Sequence, residues 1–590
     1  MNTYRVAAAV VMTGLIGCSD PTATMTHFPR GGGSVSNPGG AAGSIEQQPP
    51  REWSEIPDEE LWASIAASDR EVIVGLRPDG AAGGLESGRP LLTRAQWESR
   101  AQRLFASEGR EAKDEVRLRY TSRELPHAVV QVSSLGALRA LRKRPDVYFV
   151  EPARMIAVAQ SPGCGAPAAL VQPTFSLPEG DIVPIQYRMQ GISEAWKKGV
   201  TGAGVTIGYV DTGTDNVVPE FTTRFAAGAS AGRSITRLST MGFSFFSPNP
   251  TGDGCGHGTR VAGVIGAPRD GLGGVGIAYG ANLLSVEATP GSVVNWSAVS
   301  VAQGIIQAAD QGAWIISMAI GSTTAFQSIR DAISYAARVE PGRRVPLLVA
   351  AAGTWTGSSV APPIVCWLLD VMGTCPSWIR DPTRFIVFPA SEPGVIAVTA
   401  MELGGWVPSN VSRGPKVEFA MIGDLPGVAT SGTGWPAGTP IRFRGSSAAV
   451  SAFAGAAALV WSRFPTITRD SLLAVLRCSH AWTPRCQRWS TDVGYGAPDV
   501  LRAIGGISEV VATATPAEGD YCWHFSVASV VGGHGPYTYY WPATGSTSPS
   551  TEACFGPTGS EYPIQASLEV YVSEPDGASR EGKAWFWAYP

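Results

Sequence analysis

The chain has 590 residues, which is too long for one ordinary domain, and 44% of them are hydrophobic, which is typical of folded cores and excludes wholesale disorder. It carries 49 acidic and 45 basic residues, a formal net charge of −4, so nothing in the charge balance supports a nucleic acid as a partner. The 70 glycines and 45 prolines predict many turns and at least one flexible stretch.

Residues 1–18 are typical of an export signal. Arg5 supplies a positive charge ahead of an apolar run, Val6–Ile16, that is too short to cross a bilayer. The run ends in the sequence LIGC, which resembles the lipobox of bacterial lipoproteins and implies a lipid anchor on Cys18. An ordinary signal peptide with a chance cysteine is the alternative. We therefore expect an exported protein, lipid-anchored at a bacterial cell envelope or extracellular after processing.

Residues 19–69 are predicted to form a flexible linker. They include the stretch RGGGSVSNPGGAAGS, which has too few apolar side chains to bury a core. Such a tether would hold the following domains away from the membrane.

Residues 70–159 alternate between strand and helix patterns. Hydrophobic periodicity predicts strands at 71–76, 115–121, 128–132 and 147–151, and helices at 93–106 and 134–143. The order β-α-β-β-α-β predicts a ferredoxin-like α+β domain. A free-standing binding domain of this fold is the alternative reading of the same pattern.

Residues 160–507 contain longer apolar strands that alternate with helices. The strands are predicted at 205–210, 283–287, 314–319, 347–351 and 395–399, with helices at 298–311 and 325–339. Near-continuous apolar strands joined by helices predict an α/β fold with a doubly wound, mostly parallel sheet. Sheets of this kind bind ligands at the carboxyl ends of their strands, so functional residues are expected there.

Residues 508–590 lose the helical patterns. Short aromatic and β-branched strands, separated by Gly/Pro/Ser turns, are predicted at 509–515, 523–531, 537–541 and 564–572. They predict a small β-sandwich. Its tryptophans Trp541, Trp585 and Trp587 either fill the core or stack on sugars.

The cysteine count favours disulfides. Eight cysteines remain when Cys18 is set aside, and an even number in an exported chain is typical of disulfide bonding. Connectivity stays open, since eight cysteines allow about 105 pairings. Closeness in the chain and shared domains favour, in order, Cys366–Cys375, Cys478–Cys486, Cys522–Cys554 (which would join the two sheets of the sandwich) and, by remainder, Cys164–Cys255. A metal cluster is the alternative, although no CxxC pair is present.

Three segments of the α/β region place reactive side chains where an enzyme needs them. Asp211 follows the apolar strand VTIGYV, His257 opens an apolar helix after a Gly-rich turn, and Ser447 opens the helix AAVSAFAGAAALVW. A serine is a weak nucleophile unless a base removes its proton and a carboxylate orients the base. His480 is the other histidine of this region, and its polar surroundings favour a surface role. Each segment alone is an ordinary turn, loop or helix cap, but together they indicate nucleophilic catalysis.

The motifs around these residues resemble those of the subtilisin-like serine proteases (subtilases). The matching sequences are DTG at Asp211, GHGTRVAG at His257 and GSSAAVSAFAG at Ser447, in the family's Asp–His–Ser order. The resemblance covers roughly residues 182–507 and implies peptide-bond hydrolysis, with Ser447 as nucleophile, His257 as base and Asp211 orienting the histidine. It implies protein or peptide substrates and no cofactor for the chemistry.

The resemblance also extends to the domain before the protease region. Residues 70–159 resemble the family's propeptide, an intramolecular inhibitor, which implies autocleavage near Ala159. Substrate would pair with the backbone of Ala319, Ile320 and Gly321. Structural calcium is an expectation from the family only, and the sequence matches no particular metal site.

The sequence departs from the family pattern at Thr354, Ser446 and Ser451, and also at Ala319-Ile320-Gly321, where subtilases usually carry Ser-Leu-Gly on the substrate-binding edge. Thr354 stands where subtilases carry the asparagine of the oxyanion hole, leaving the backbone N–H of Ser447 as the second donor. Ser446 replaces the usual threonine and is the competing nucleophile, and Ser451 replaces a proline of the serine helix.

The sequence therefore predicts an exported serine endopeptidase, weakened at the oxyanion hole and made as a zymogen. A degenerate protease scaffold used as a binding or adhesion protein is the alternative, motivated by Thr354 and the C-terminal sandwich.

Overall fold

The computed structural model describes most of the chain. It describes residues 50–66, 69–77, 94–106, 115–122, 124–156, 168–170, 173–240, 252–289, 295–355, 382–430, 435–480, 489–518, 521–555 and 564–588. The predicted signal peptide, the Gly-rich stretch and the expected cleavage point near Ala159 lie outside these residues. The same is true of five cysteines: Cys18, Cys164, Cys366, Cys375 and Cys486.

Residues 50–66 are folded, so the linker prediction was wrong for this part of 19–69. They form strand β1 (Arg51–Glu52) and helix α1 (Asp58–Ser64). The apolar side chains of Ile56, Leu61 and Ile65 are buried together with the core of the next domain. Composition averaged over the Gly-rich stretch concealed this short apolar pattern.

The next domain is a four-stranded antiparallel sheet with the strand order β3-β4-β2-β5. Its elements are β2 (Glu71–Leu76), α2 (Arg94–Ala106), β3 (Val116–Thr121), β4 (His127–Val132), α3 (Leu135–Arg142) and β5 (Val147–Pro152). One sheet face, with Val72 and Val74, packs into the domain's own core. Ile73 and Val129 on the other face join a core cluster of the α/β domain. The sheet therefore lies against the protease region.

The α/β domain is built on a seven-stranded sheet in which every neighbouring pair is parallel, in the order β10-β11-β9-β13-β15-β16-β17. The strands are β9 (Thr206–Asp211), β10 (Ile235–Ser239), β11 (Asn282–Glu287), β13 (Ile315–Met318), β15 (Leu347–Ala351), β16 (Val395–Met401) and β17 (Val417–Ile422). The parallel α/β prediction is confirmed, and the structure adds the two edge strands β10 and β17.

Helices cover both faces of this sheet. On one side lie α6 (His257–Gly266) and α9 (Ser446–Arg463), and on the other α7 (Ala298–Asp310) and α8 (Gln327–Ala336). Successive residues of β9 alternate between the two faces, with Tyr209 in one core cluster and Val210 in the other. Such alternation explains why these strands are apolar throughout.

The remaining short elements belong to the α/β domain, except the first, which ends the preceding domain. They are β6 (Arg154–Ile156), β7 (Thr174–Ser176), β8 (Ile182–Pro184), α4 (Ile185–Met189), α5 (Ile192–Lys197), β12 (Asn295–Ser297), β14 (Thr324–Ala325), β18 (Asp424–Val428), β19 (Pro440–Arg444), α10 (Arg469–Arg477) and α11 (Val500–Ala503). No helix in the described part of the chain has the length and apolar character needed to span a membrane.

The C-terminal region forms two three-stranded sheets, β20-β21-β23 and β22-β24-β25. Their strands are β20 (Ile507–Pro516), β21 (Cys522–Gly532), β22 (Thr538–Tyr540), β23 (Ser550–Cys554), β24 (Ile564–Ser573) and β25 (Ser579–Ala588). The Cys522–Cys554 disulfide joins the neighbouring strands β21 and β23. The sequence analysis expected this disulfide to join the two sheets. Instead, both of its cysteines lie in the same sheet. Trp541 is fully buried in the core, whereas Trp585 is 56% exposed; the side chain of Trp587 lies outside the described residues.

Candidate active site

The carboxylate and the imidazole of the predicted triad are in direct contact. Asp211 is the last residue of β9, and His257 is the first residue of α6, after Gly256 in the left-handed region at φ 79°. The Nδ1 atom of His257 lies 2.7 Å from Oδ1 of Asp211, and both side chains are almost completely buried. Because a carboxylate only accepts, Nδ1 carries the proton, which leaves Nε2 as the basic nitrogen.

A second buried carboxylate, Asp253, holds the loop that delivers His257. Its oxygens accept from the Thr212 hydroxyl (2.8 Å), the Gly256 N–H (2.6 Å), and the Thr259 N–H (2.8 Å) and hydroxyl (2.6 Å). These bonds tie the β9 exit to the start of α6, on both sides of the Asp211–His257 contact. Sequence analysis missed Asp253; an acidic residue four positions before the histidine, within a Gly-rich turn, was the available signal.

Ser447 lies in the first turn of α9. The helix follows Gly445, which has a φ of 91° and occupies the N-cap position. The Oγ atom of Ser447 donates to the carbonyl oxygen of Ala319 at 3.3 Å. Within the described residues no hydrogen bond joins this hydroxyl to His257. The His257 ring packs edge-on against Phe443, four residues before Ser447 in the chain, at a centroid distance of 5.3 Å. Rotation about the serine χ1 moves the hydroxyl among staggered positions, and catalytic hydrogen bonds often tighten only when substrate binds.

Thr354 also lies at the N-terminus of α9, and its hydroxyl is already engaged. Its Oγ1 accepts from the N–H of Ser446 at 2.8 Å and lies 2.9 Å from the Ser446 hydroxyl. A Cβ atom on Gly445 would come within 2.6 Å of that oxygen, so this approach requires glycine. The Ser446 hydroxyl therefore contacts Thr354, whereas the Ser447 hydroxyl contacts the carbonyl oxygen of Ala319.

Two backbone segments are candidates for pairing with a peptide. Ala319, Ile320 and Gly321 follow β13, and all three are buried. The other segment is β12, which the sequence analysis did not identify. It pairs antiparallel with β6 in the register Asn295↔Ile156 and Ser297↔Arg154. The strand that precedes the expected cleavage point thus lies along the edge at β12.

His480 is buried, contrary to the surface role expected from its neighbours, with 7% of its surface exposed. It lines a cavity between the α/β domain and the C-terminal sandwich, together with Arg188 and Lys583. Burial and the nearby charge of Arg502 lower its pKa to about 4, so the ring is neutral at pH 7. The structure therefore places this histidine in a different site from Asp211.

The structure bears on metal binding only for the residues that it describes. These residues contain no group of three or more His, Cys, Asp or Glu side chains arranged to hold a metal ion. Cys255 and Cys478 are disulfide-bonded.

Comparison with known proteins agrees with this geometry. Residues 202–499, just over half of the chain, match the model of the Subtilase family (Peptidase_S8). The chain is 28% identical to a thermostable alkaline protease of Halalkalibacterium halodurans, over 57% of this chain and 72% of the relative. It is 30% identical to Subtilisin E of Bacillus subtilis and to a subtilisin of Bacillus pumilus, over 46% of this chain in each case and 59% and 82% of the relatives. The chain therefore belongs to the subtilase family and is a subtilisin-like serine endopeptidase.

Proposed function

We propose that Asp211, His257 and Ser447 are the catalytic triad of an exported endopeptidase that is made as a zymogen. The observation that carries the proposal is the buried 2.7 Å hydrogen bond between Asp211 and His257, which lies at the carboxyl end of β9. Ser447 supports it through its place in the first turn of α9, beside the aromatic ring that contacts His257.

The proposed reaction follows from the positions of the hydrogen-bonding groups. Nε2 of His257 takes the proton of Ser447 as Oγ attacks the scissile carbonyl, and Asp211 stabilises the resulting imidazolium. The same proton passes to the leaving amine, and water then hydrolyses the acyl-enzyme with His257 again as base. The backbone N–H of Ser447 and the side chain of Thr354 are the donors proposed for the oxyanion.

The fold of residues 70–156 on the protease region supports the zymogen proposal. Glu151 accepts from the N–H groups of Gln327 (2.7 Å) and Ser328 (3.0 Å), which caps the N-terminus of α8 with a carboxylate. His127 Nε2 lies 2.7 Å from Asp331 Oδ2, on the same helix, and both side chains are buried. These contacts hold the domain where β6 covers β12, so substrate and propeptide would compete for that strand edge.

Export is proposed from chemistry at both ends of the chain. The Cys522–Cys554 disulfide is typical of proteins that mature in an oxidising compartment. The N-terminal signal pattern is typical of proteins that are exported to such a compartment. Cys18 is the proposed site of the lipid anchor. Cleavage near Ala159 would release the protease from that anchor once the propeptide dissociates. The binding-protein alternative gains no support from the comparisons.

A fluorophosphonate probe tests the proposed nucleophile. Such probes react with a serine only when a neighbouring base activates it, so the processed protein should be labelled on Ser447, as located by peptide mass spectrometry. His257→Ala should remove the labelling while leaving the fold intact by circular dichroism. Labelling of Ser446 instead, or no labelling after the propeptide is removed, would contradict the assignment.

Glu52 supports a prediction about release of the propeptide. Both Glu52 oxygens lie 2.6 Å from the guanidinium of Arg330, which also binds Glu392, and β1 pairs in parallel with β14. A bidentate pair that is about one third exposed contributes about 1 kcal/mol, so Glu52→Gln should shorten the lag between cleavage and the appearance of activity about fivefold. Peptidase activity followed after processing measures this lag.

The matched control is Glu60→Gln, because among the described residues Glu60 pairs with Arg51 of the same segment, and both side chains are about half exposed. This variant should keep the parental lag. Equal lags in all three proteins would show that β1 plays no part in holding the propeptide.

A further inference from the structure

A cavity of about 710 Å³ lies between the α/β domain and the C-terminal sandwich. Arg188 of α4 and His480 line it from the α/β domain, and Glu509 of β20 and Arg580 of β25 line it from the sandwich. Cavities of about 300–1,000 Å³ at domain interfaces are the usual sites of small ligands. The triad residues do not belong to this lining, so the cavity is separate from the proposed catalytic site.

Contacts between the two domains fix the walls of the cavity. Glu194 of α5 accepts from the N–H of Ser579 at 2.7 Å, and its side chain is almost completely buried. Lys198, at the end of the same helix, lies 2.9 Å from the buried carboxylate of Glu574 in the sandwich. The walls are therefore in place before a ligand arrives, which lowers the entropic cost of binding.

The lining is positive in sum, because it carries four basic side chains and three glutamates. Two of the glutamates are already paired: Glu194 and Glu581 lie 2.8 and 3.1 Å from the ammonium groups of Lys197 and Lys583. Glu509 is the third glutamate. It is therefore the lining carboxylate that remains to offset the arginine side chains of the cavity.

Arg580 contributes a buried donor that lacks an acceptor. Its Nη1 atom lies 2.5 Å from Asp499, and its Nε atom donates to the carbonyl oxygen of Ile507 at 3.0 Å. Its Nη2 atom is buried and has no hydrogen-bond partner within the described part of the chain. Because a buried donor without an acceptor destabilises the folded protein, a ligand oxygen beside this nitrogen would be stabilising.

The basic groups around Arg580 lack negative charge. Burial and the charge of Arg502 lower the pKa of His480 to about 4. Burial also lowers the pKa of Arg502; the charge of Arg580 acts in the same direction, and that of Asp499 in the opposite one. Both shifts are those of basic groups in a poorly solvated site with too little negative charge. An anion is therefore the ligand that this wall favours.

We propose that the cavity binds the terminal carboxylate of a short peptide at Arg502 and Arg580. Guanidinium groups bind carboxylates through paired, charge-assisted hydrogen bonds. The apolar side chains of Ile185, Met189 and Val510 line the same cavity and would contact the side chains of the peptide, which favours a peptide over an inorganic anion. The inference goes beyond the catalytic proposal, because no triad residue takes part. Protein hydrolysis creates a terminal carboxylate at every cut, so cleavage products are the expected source.

Isothermal titration calorimetry at pH 7 tests the proposal on the full chain carrying Ser447→Ala, which prevents autolysis. The probe is N-acetyl-alanyl-leucine, and its C-terminal amide is the matched uncharged ligand. The acid should bind, and the amide should bind at least about tenfold more weakly, because it cannot form the charge-assisted bonds. Equal affinities for the acid and the amide would contradict the proposal, as would inorganic phosphate binding as tightly as the acid.

The ring signals of isotope-labelled histidines locate the bound acid. The signal of His480 should shift when the acid is added, because this ring lines the cavity. That of His524, whose side chain is 42% exposed on β21, should stay in place. Binding of the acid without a shift of His480 would place the ligand elsewhere and overturn the proposal.

Three variants complete the test, each checked for folding by circular dichroism. Arg502→Gln should weaken binding of the acid at least about tenfold, and Arg188→Gln, at an exposed position, about threefold. Arg338→Gln is the matched control, because Arg338 also lies over a tyrosine ring, at 5.6 Å, but is not part of the lining. If Arg502→Gln and Arg188→Gln bind the acid as the parent does, or if Arg338→Gln weakens binding equally, the proposal is wrong.

Discussion

Ser447→Ala should abolish self-processing and lower kcat by about 10⁶-fold, which is the loss that the equivalent replacement causes in a subtilisin. The reason lies in the geometry of α9, where Ser447 Oγ faces the Ala319 carbonyl on the edge proposed to bind substrate. The other hydroxyl of the pair, on Ser446, is held against Thr354 and is not available to a peptide at that edge. No other side chain at the start of this helix would replace the nucleophile.

The measurement combines gel analysis of processing with single-turnover hydrolysis of a chromogenic peptide. Ser446→Ala is the matched control, because it removes a hydroxyl one residue away without removing the proposed nucleophile. It should process normally. Its kcat should fall by less than about tenfold, because the variant loses the hydrogen bond between the hydroxyls of Ser446 and Thr354. If Ser447→Ala processes normally whereas Ser446→Ala does not, the two serines have been assigned in the wrong order.

The central sheet was predictable because its strands are apolar on both faces. Sequences such as VTIGYV and LLVAA lie within one or two residues of the observed strands β9 and β15. The edge strand β10, with the sequence ITRLS, has one exposed and four half-buried residues, so it carries neither an alternating nor a continuous apolar signal. The positions of Asp211 and His257 followed from motifs, and the structure brings their side chains together.

Features that depend on distant contacts were not predictable from local patterns. His480 is buried and lines a cavity whose other walls include residues of the C-terminal sandwich, which are distant in the chain. Asp253 and Arg224 each bind residues from two or more separate loops, so neither spacing nor composition indicates their partners. The same limit applies to the contact between Glu52 and Arg330, which are 278 residues apart.

Thr354→Asn should raise kcat by up to about 10²-fold with little change in KM. The structure gives the reason: Thr354 Oγ1 accepts from the N–H of Ser446, so the one hydroxyl must serve both as this acceptor and as the oxyanion donor. An asparagine would separate the two tasks, since its carbonyl oxygen would accept from Ser446 while its amide group donates to the oxyanion. Loss of such a donor costs about 10²–10³ in kcat in a subtilisin, and the interaction is made only in the transition state.

Steady-state kinetics on one peptide substrate, with active-site titration, checks this prediction. Ser446→Thr is the control, because it restores another residue that is usual in the family without adding an amide donor, and its kcat should stay within about threefold of the parent. Thr354→Val removes the hydroxyl at similar volume and should lower kcat, since both the contact with Ser446 and the proposed donor are lost. A Thr354→Asn protein with the parental kcat would mean that residue 354 does not face the oxyanion. The gain should appear equally for ester and amide substrates if acylation limits both, because each passes through the same negatively charged oxygen.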